Sequence, residues 1–125
     1  MTAGDSKNRQ DKLNQVLKDL QIEYLVKFPG KIKLLKTLTA AQDWVQIENE
    51  YHKLKGTGKT YGFPEISVLG EKLEHLALLD FPRKREVFEN AIPFFEKLHQ
   101  AYLENKSYDL TKDPFSRSVL ALKTN

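Results

Sequence analysis

Asp43-Trp44-Val45-Gln46-Ile47-Glu48-Asn49-Glu50-Tyr51-His52-Lys53-Leu54-Lys55-Gly56-Thr57-Gly58-Lys59-Thr60-Tyr61-Gly62-Phe63-Pro64 decides the fold class. Within it Trp44, Ile47, Tyr51, Leu54 and Gly58 recur at spacings of three and four, which puts them on one face of an α-helix and predicts that this face is buried. Asp43 is a good N-cap for that helix, because its carboxylate can accept from the unpaired N–H groups of the first turn. Glu48, His52, Lys55 and Lys59 fall on the adjoining stripe. At 100° per residue His52 stands about 120° from the centre of the buried face, so the pattern predicts an exposed imidazole in mid-helix. Gly58 to Pro64 then reads as a helix end, a tight turn and a new helix with Pro64 near its first position.

The same period extends in both directions. Upstream, Leu13, Val16, Leu17, Leu20, Tyr24, Leu25 and Phe28 form a stripe expected to be buried. Phe28-Pro29-Gly30 interrupts it, and apolar residues resume at Ile32, Leu34, Leu35 and Leu38, as one kinked helix or two short ones. Downstream, Ile66, Leu69, Leu73, Leu76 and Leu79 mark a third segment. Asp80 is expected to cap a long last helix from near Pro82, with Val87, Phe88, Ala91, Phe94, Phe95, Leu98 and Tyr102 buried and a kink at Pro93. Residues 1–10 read as a disordered lead and 111–125 as a partly ordered tail, leaving 11–110 as the helical unit. No strand pattern or internal repeat competes. The expectation is all-α: an up-down antiparallel four-helix bundle with an additional short N-terminal helix.

Composition narrows the function. The 125 residues suit one domain, with 40% hydrophobic and 30% charged residues. No apolar run approaches the ~20 residues of a membrane span, and the polar first ten residues lack the apolar core of a secretory signal, so a cytoplasmic protein is expected. There is no cysteine, and His52, His75 and His99 lack metal-ligand spacing, so neither a metal nor a cofactor is expected on the chain. A net charge of +3, with acids interleaved among the bases, argues against nucleic acid or an anionic membrane as partner.

The chemistry concentrates at His52. Gly58-Lys59-Thr60 imitates the end of a phosphate-binding P-loop, but that loop needs a glycine where Lys53 stands and a preceding strand where a helix is predicted. An exposed neutral imidazole, by contrast, is a competent nucleophile near neutral pH. Lys55 at i+3 and Lys59 at i+7 can stabilise a phosphoryl group on the same side of the helix. Gly56 at i+4 removes the side chain that would stand over the imidazole, at a helix cost of ~1 kcal/mol relative to alanine.

These residues resemble the signature of the histidine phosphotransfer (HPt) family: a histidine followed at three by lysine, at four by glycine and at ten by glycine. The resemblance runs from about Tyr24 to Glu74, through Phe28-Pro29, Asp43-Trp44, the His52 motif and Pro64-Glu65-Ile66-Ser67. It implies a bacterial-type two-component phosphorelay carrier in which His52 accepts a phosphoryl group on Nε2 and passes it on. The implied partners are response-regulator receiver domains, which bring the aspartate and Mg²⁺, and a sensor or hybrid histidine kinase. Lys55 would be the electrostatic partner, Gly56 the clearance and Gly62 the closing turn. Glu74 matches a glutamate that, in the related domain of chemotaxis kinases, orients the imidazole through Nδ1. Two positions depart from the pattern: Tyr51 stands where a small residue is common, and Thr57-Gly58 replaces a serine-rich pair, both with an expected effect on partner choice. Phe63 and Leu69 are candidates for an apolar docking patch. The alternative function is a docking module that binds a receiver or kinase without turnover. In either case the chain has no ATP site and is a carrier rather than an enzyme.

Overall fold

The computed structural model describes the backbone of residues 3–124 and the side chains of residues 6–124. It contains five helices, α1 (Ala3–Ala41), α2 (Trp44–Tyr61), α3 (Pro64–Ala77), α4 (Lys84–Leu103) and α5 (Pro114–Ala121), and no strand among the described residues. Asp43 caps α2 by accepting from the Gln46 N–H, and Gly62 ends it in the left-handed region at φ 81°, donating to the Gly58 carbonyl. Only a residue without a Cβ adopts that angle without strain, so the turn is written into the sequence at position 62. Pro64 then opens α3 at a position where its missing N–H costs nothing.

Successive helices run antiparallel. Gln21, Tyr24 and Lys31 of α1 meet Tyr61, Thr57 and Glu50 of α2, so one number rises as the other falls. Ser67 and Glu74 of α3 meet Lys55 and His52 of α2 in the same sense, and Glu65 of α3 accepts from the Tyr102 hydroxyl near the end of α4. Phe28, Leu35, Ile47, Tyr51, Leu54, Ile66, Leu69, Leu73, Phe88, Phe95 and Leu98 close the core between the four long helices. Fully burying one such side chain is worth about 1.5–3 kcal/mol, and it is this shared interior that fixes how far α2 and α3 stand apart.

Four expectations are corrected. First, α1 is one continuous helix from Ala3, so residues 3–10 are helical rather than a disordered lead, and Pro29 does not divide it. Proline removes the donor that the Leu25 carbonyl would have used, and His99 of α4 replaces it: its Nε2 lies 2.7 Å from the Leu25 oxygen, with the ring stacked on Phe28. Second, Leu13, Val16, Leu17 and Leu20 are 63, 55, 43 and 41% exposed. The stripe was legible, but α2 already ends opposite Gln21, so among the described residues these side chains have no neighbouring helix to bury them.

Third, α4 begins at Lys84 rather than near Pro82, after Arg83 at φ 62°, with no side-chain cap from Asp80. Fourth, the additional short helix is C-terminal. Asp113 caps α5 through the Ser116 N–H, with Tyr108 donating to the same carboxylate, and Val119 and Phe115 pack on the bundle. Pro114 therefore starts a helix instead of preventing one. No helix among the described residues is long and apolar enough to cross a membrane.

Candidate functional site

His52 lies at the middle of α2 with its side chain 63% exposed, on the stripe next to the buried face. Its Nδ1 is 2.7 Å from Oε1 of Glu74, a side chain of α3 that is only 12% exposed. A carboxylate can only accept, so this contact calls for a proton on Nδ1, and in the neutral ring that leaves the Nε2 lone pair free. The other oxygen, Oε2, is buried without a hydrogen-bond partner. Glu74 is thus directed at one donor. Between them the two helices supply an imidazole of fixed tautomer and orientation, with a negative charge behind it and solvent in front.

What holds this pair together is the close approach of α2 and α3, and two glycines permit it. A Cβ on Gly70 would lie 2.8 Å from the Lys55 nitrogen and 3.1 Å from the Tyr51 carbonyl oxygen. One on Gly58 would lie 2.7 Å from the Ser67 nitrogen and 3.0 Å from the Phe63 oxygen. These are backbone atoms that cannot swing aside. Ser67 adds a hydrogen bond from its hydroxyl to the Lys55 carbonyl at 2.8 Å, next to the same crossing. Gly70 and Ser67 were missed in the sequence; the available signal was a glycine inside the otherwise strongly apolar pattern of Ile66, Leu69 and Leu73.

Gly56 is different. A Cβ there meets nothing within 4 Å, so the fold does not require glycine at this position. Gly30 has equally free surroundings, so open space alone identifies nothing; at 56 it occurs one helical turn beyond the imidazole. Lys55 is half-buried and reaches to within 3.9 Å of Glu71, a loose pairing that leaves its ammonium able to turn to another anion. Lys59 and Gly62 are not in contact with His52: seven and ten residues on, they lie about 10 and 15 Å further along the axis, Gly62 forming the turn.

Two further expectations change. Phe63 and Leu69 are 7 and 0% exposed and belong to the core, so neither offers a docking surface. The exposed apolar side chain on this side of α3 is Val68, which borders a groove of about 200 Å³ lined also by Gly58, Lys59, Gly62, Pro64 and Ser67. Tyr51 is fully buried between Phe88 and Phe95, and Thr57 is half-buried against the Tyr24 hydroxyl at 3.0 Å. The departures at 51 and 57 therefore fall on packing rather than on the outer surface. Among the described residues no group of three or more His, Asp or Glu side chains is arranged to hold a metal.

Comparison with known proteins adds a family. No curated protein and no solved structure matches the chain. A family model described as the Hpt domain matches residues 8–105, which takes in all of α2, α3 and α4 and nearly all of α1. The exposed histidine of α2, found within this match, sits in an all-helical bundle, and the chain accordingly belongs to the Hpt domain family, whose members act as phosphocarriers in phosphorelays.

Proposed function

We propose that His52 is the phosphoryl acceptor, taking the group through Nε2 from a receiver-domain aspartyl phosphate or from a sensor or hybrid histidine kinase and passing it to a second receiver. The observation that carries this reading is the exposed imidazole whose Nδ1 is committed to Glu74 at 2.7 Å. A module that only docks has no use for a fixed tautomer.

In the transfer from a receiver, the Nε2 lone pair forms the N–P bond as the bond from phosphorus to the aspartyl oxygen breaks, and the aspartate leaves as a carboxylate. The Nδ1 proton stays in place. The ring gains positive character, and the Glu74 carboxylate offsets it from behind. Lys55, one turn on, leaves Glu71 to neutralise the arriving phosphoryl oxygens. Gly56 leaves the space that the receiver's loops enter. The receiver brings the aspartate and Mg²⁺, so positioning and charge account for most of what is needed on this side. Val68 and the groove beside it supply apolar contact. Lys59 forms an outer contact, Gly62 keeps the turn, and on this reading the chain works in the cytoplasm beside its partners.

The test is incubation with a phosphorylated receiver domain. The expected product is a phosphoprotein stable in base and labile in acid, and failure to acquire label from any receiver or kinase offered overturns the proposal.

Two smaller effects follow. Removing the orienting group in Glu74→Ala is expected to slow phosphoryl uptake about tenfold to a hundredfold, read in single-turnover transfer, without preventing receiver binding. Gly56→Ala is expected to raise stability by about 0.5–1 kcal/mol, since the helix gains and nothing collides. The same substitution is expected to weaken transfer by narrowing the approach to His52. Thermal unfolding and the transfer assay on one sample check both halves.

A further inference from the structure

The His52–Glu74 contact has a companion between the same two helices. Three residues on along α2 and three back along α3, Lys55 meets Glu71, the step that antiparallel helices dictate. The two contacts differ in quality. Glu74 is 12% exposed and holds Nδ1 at 2.7 Å, whereas Glu71 is 54% exposed and stands 3.9 Å from the Lys55 Nζ, the far limit of an ion pair. Among the described residues neither Lys55 nor Glu71 has another ion pair. The root of Lys55 is fixed at the helix crossing, where the Ser67 hydroxyl donates to its carbonyl and Gly70 lets the α3 backbone close on its nitrogen. Only the far end of the side chain is left to choose between anions. Taking the carrier reading above as given, we infer that Glu71 competes with the phosphorylated His52 for the Lys55 ammonium, and so sets how readily the phosphoryl group is given up.

The competition follows from what each state of His52 offers. A neutral imidazole carries no negative charge, so the anion within reach of the ammonium is Glu71. Transfer breaks the bond from phosphorus to the aspartyl oxygen of the receiver and forms the bond to Nε2, which brings a dianion one helical turn from Lys55 on the same stripe of α2. Turning to it, Lys55 leaves the Glu71 carboxylate without its partner, so the phosphorylated state gains less than it would beside a neutral side chain. The fold itself makes no use of the charge: Glu71 is exposed, lies outside the core and caps no helix. A carrier must release as well as accept, and a carboxylate that competes for the cation keeps the phosphohistidine from becoming a trap. The two carboxylates of α3 therefore act in opposite senses. Glu74 orients the nucleophile, while Glu71, a positioning residue acting through Lys55, weakens the hold on the product. An exposed pair is weak, so the effect is a factor of about two to five in the equilibrium.

The test is the equilibrium division of a labelled phosphoryl group between a receiver domain and the full chain at equal concentrations, approached from both directions. Glu71→Gln is expected to shift the division toward His52 by about twofold to fivefold, with thermal unfolding and the affinity for the unphosphorylated receiver as in the wild type. In a Lys55→Gln background the same substitution is expected to produce no shift, a dependence that a merely structural role of Glu71 would not show. A shift of similar size in both backgrounds overturns the inference, because Glu71 then repels the phosphoryl group directly. A shift toward the receiver overturns it as well, since Glu71 then holds Lys55 ready instead of competing for it, and so does a shift that altered receiver affinity accounts for in full. A wild type that takes up no label overturns the carrier reading and this inference with it, whereas label with an unchanged division overturns this inference alone.

Discussion

The His52→Gln variant is expected to take up no phosphoryl group from any donor while folding as the wild type does. Glutamine lacks a nucleophilic nitrogen lone pair, so the rate should fall by more than about 10³ and below detection, not by the modest factor of a lost contact. The imidazole is 63% exposed and contributes nothing to the core, so the change in stability should stay near 1 kcal/mol. Most of that comes from Glu74, whose partly buried carboxylate loses its donor unless the new amide reaches it. Receiver binding should persist, because the groove beside Val68 and the cations Lys55 and Lys59 are untouched. Single-turnover transfer together with titration of an unphosphorylated receiver separates the two properties. A variant that still acquires an acid-labile phosphate would mean that the acceptor lies elsewhere.

Gly70→Ala is expected to lower stability by about 1–3 kcal/mol net, seen as a fall in Tm of roughly 4–10 °C. Alanine favours a helix by up to ~1 kcal/mol, so propensity alone gives the opposite sign. Packing decides it. The added methyl meets the Lys55 nitrogen at 2.8 Å, the Tyr51 oxygen at 3.1 Å and the Lys55 Cα at 3.2 Å, and relief requires α2 and α3 to separate. Because Glu74 is one turn further along α3, the same displacement should draw the carboxylate from His52 and slow transfer. Gly56→Ala, on the facing helix but in open space, should move stability the other way and is the natural control.

The two glycines also show how much of the site the sequence carried. Trp44, Ile47, Tyr51, Leu54 and Gly58 defined the buried face of α2, and the angular position of His52 relative to them correctly gave an exposed imidazole. Periodicity within one helix was enough, because it asks only which side of that helix is apolar. The Glu74 contact came from resemblance alone: position 74 on α3 meets position 52 on α2 only once the crossing of the two helices is known. Gly70 was missed for the same reason, as its meaning is a distance to another backbone.

The upper stripe of α1 shows the converse error. Leu13, Val16, Leu17 and Leu20 carried the right pattern for burial, but burial also needs a neighbour, and α2 turns back at Gly62 before reaching them. Pro29 left one helix or two open, because proline normally costs a helix a hydrogen bond and brings a clash, and nothing local announces that His99, seventy-four residues from Leu25 in sequence, will take up the Leu25 carbonyl.

The central claim is that Nε2 of His52 is the atom that carries the phosphoryl group, with Nδ1 held by Glu74. Long-range ¹H–¹⁵N correlation spectra of the imidazole, recorded before and after phosphorylation by a receiver domain, read both nitrogens directly. The account predicts an Nδ1-protonated tautomer in the free protein and a phosphorus-coupled Nε2 in the product, with the Nδ1 proton retained. Phosphorus on Nδ1, or a His52 ring unchanged while the protein is labelled, would contradict it.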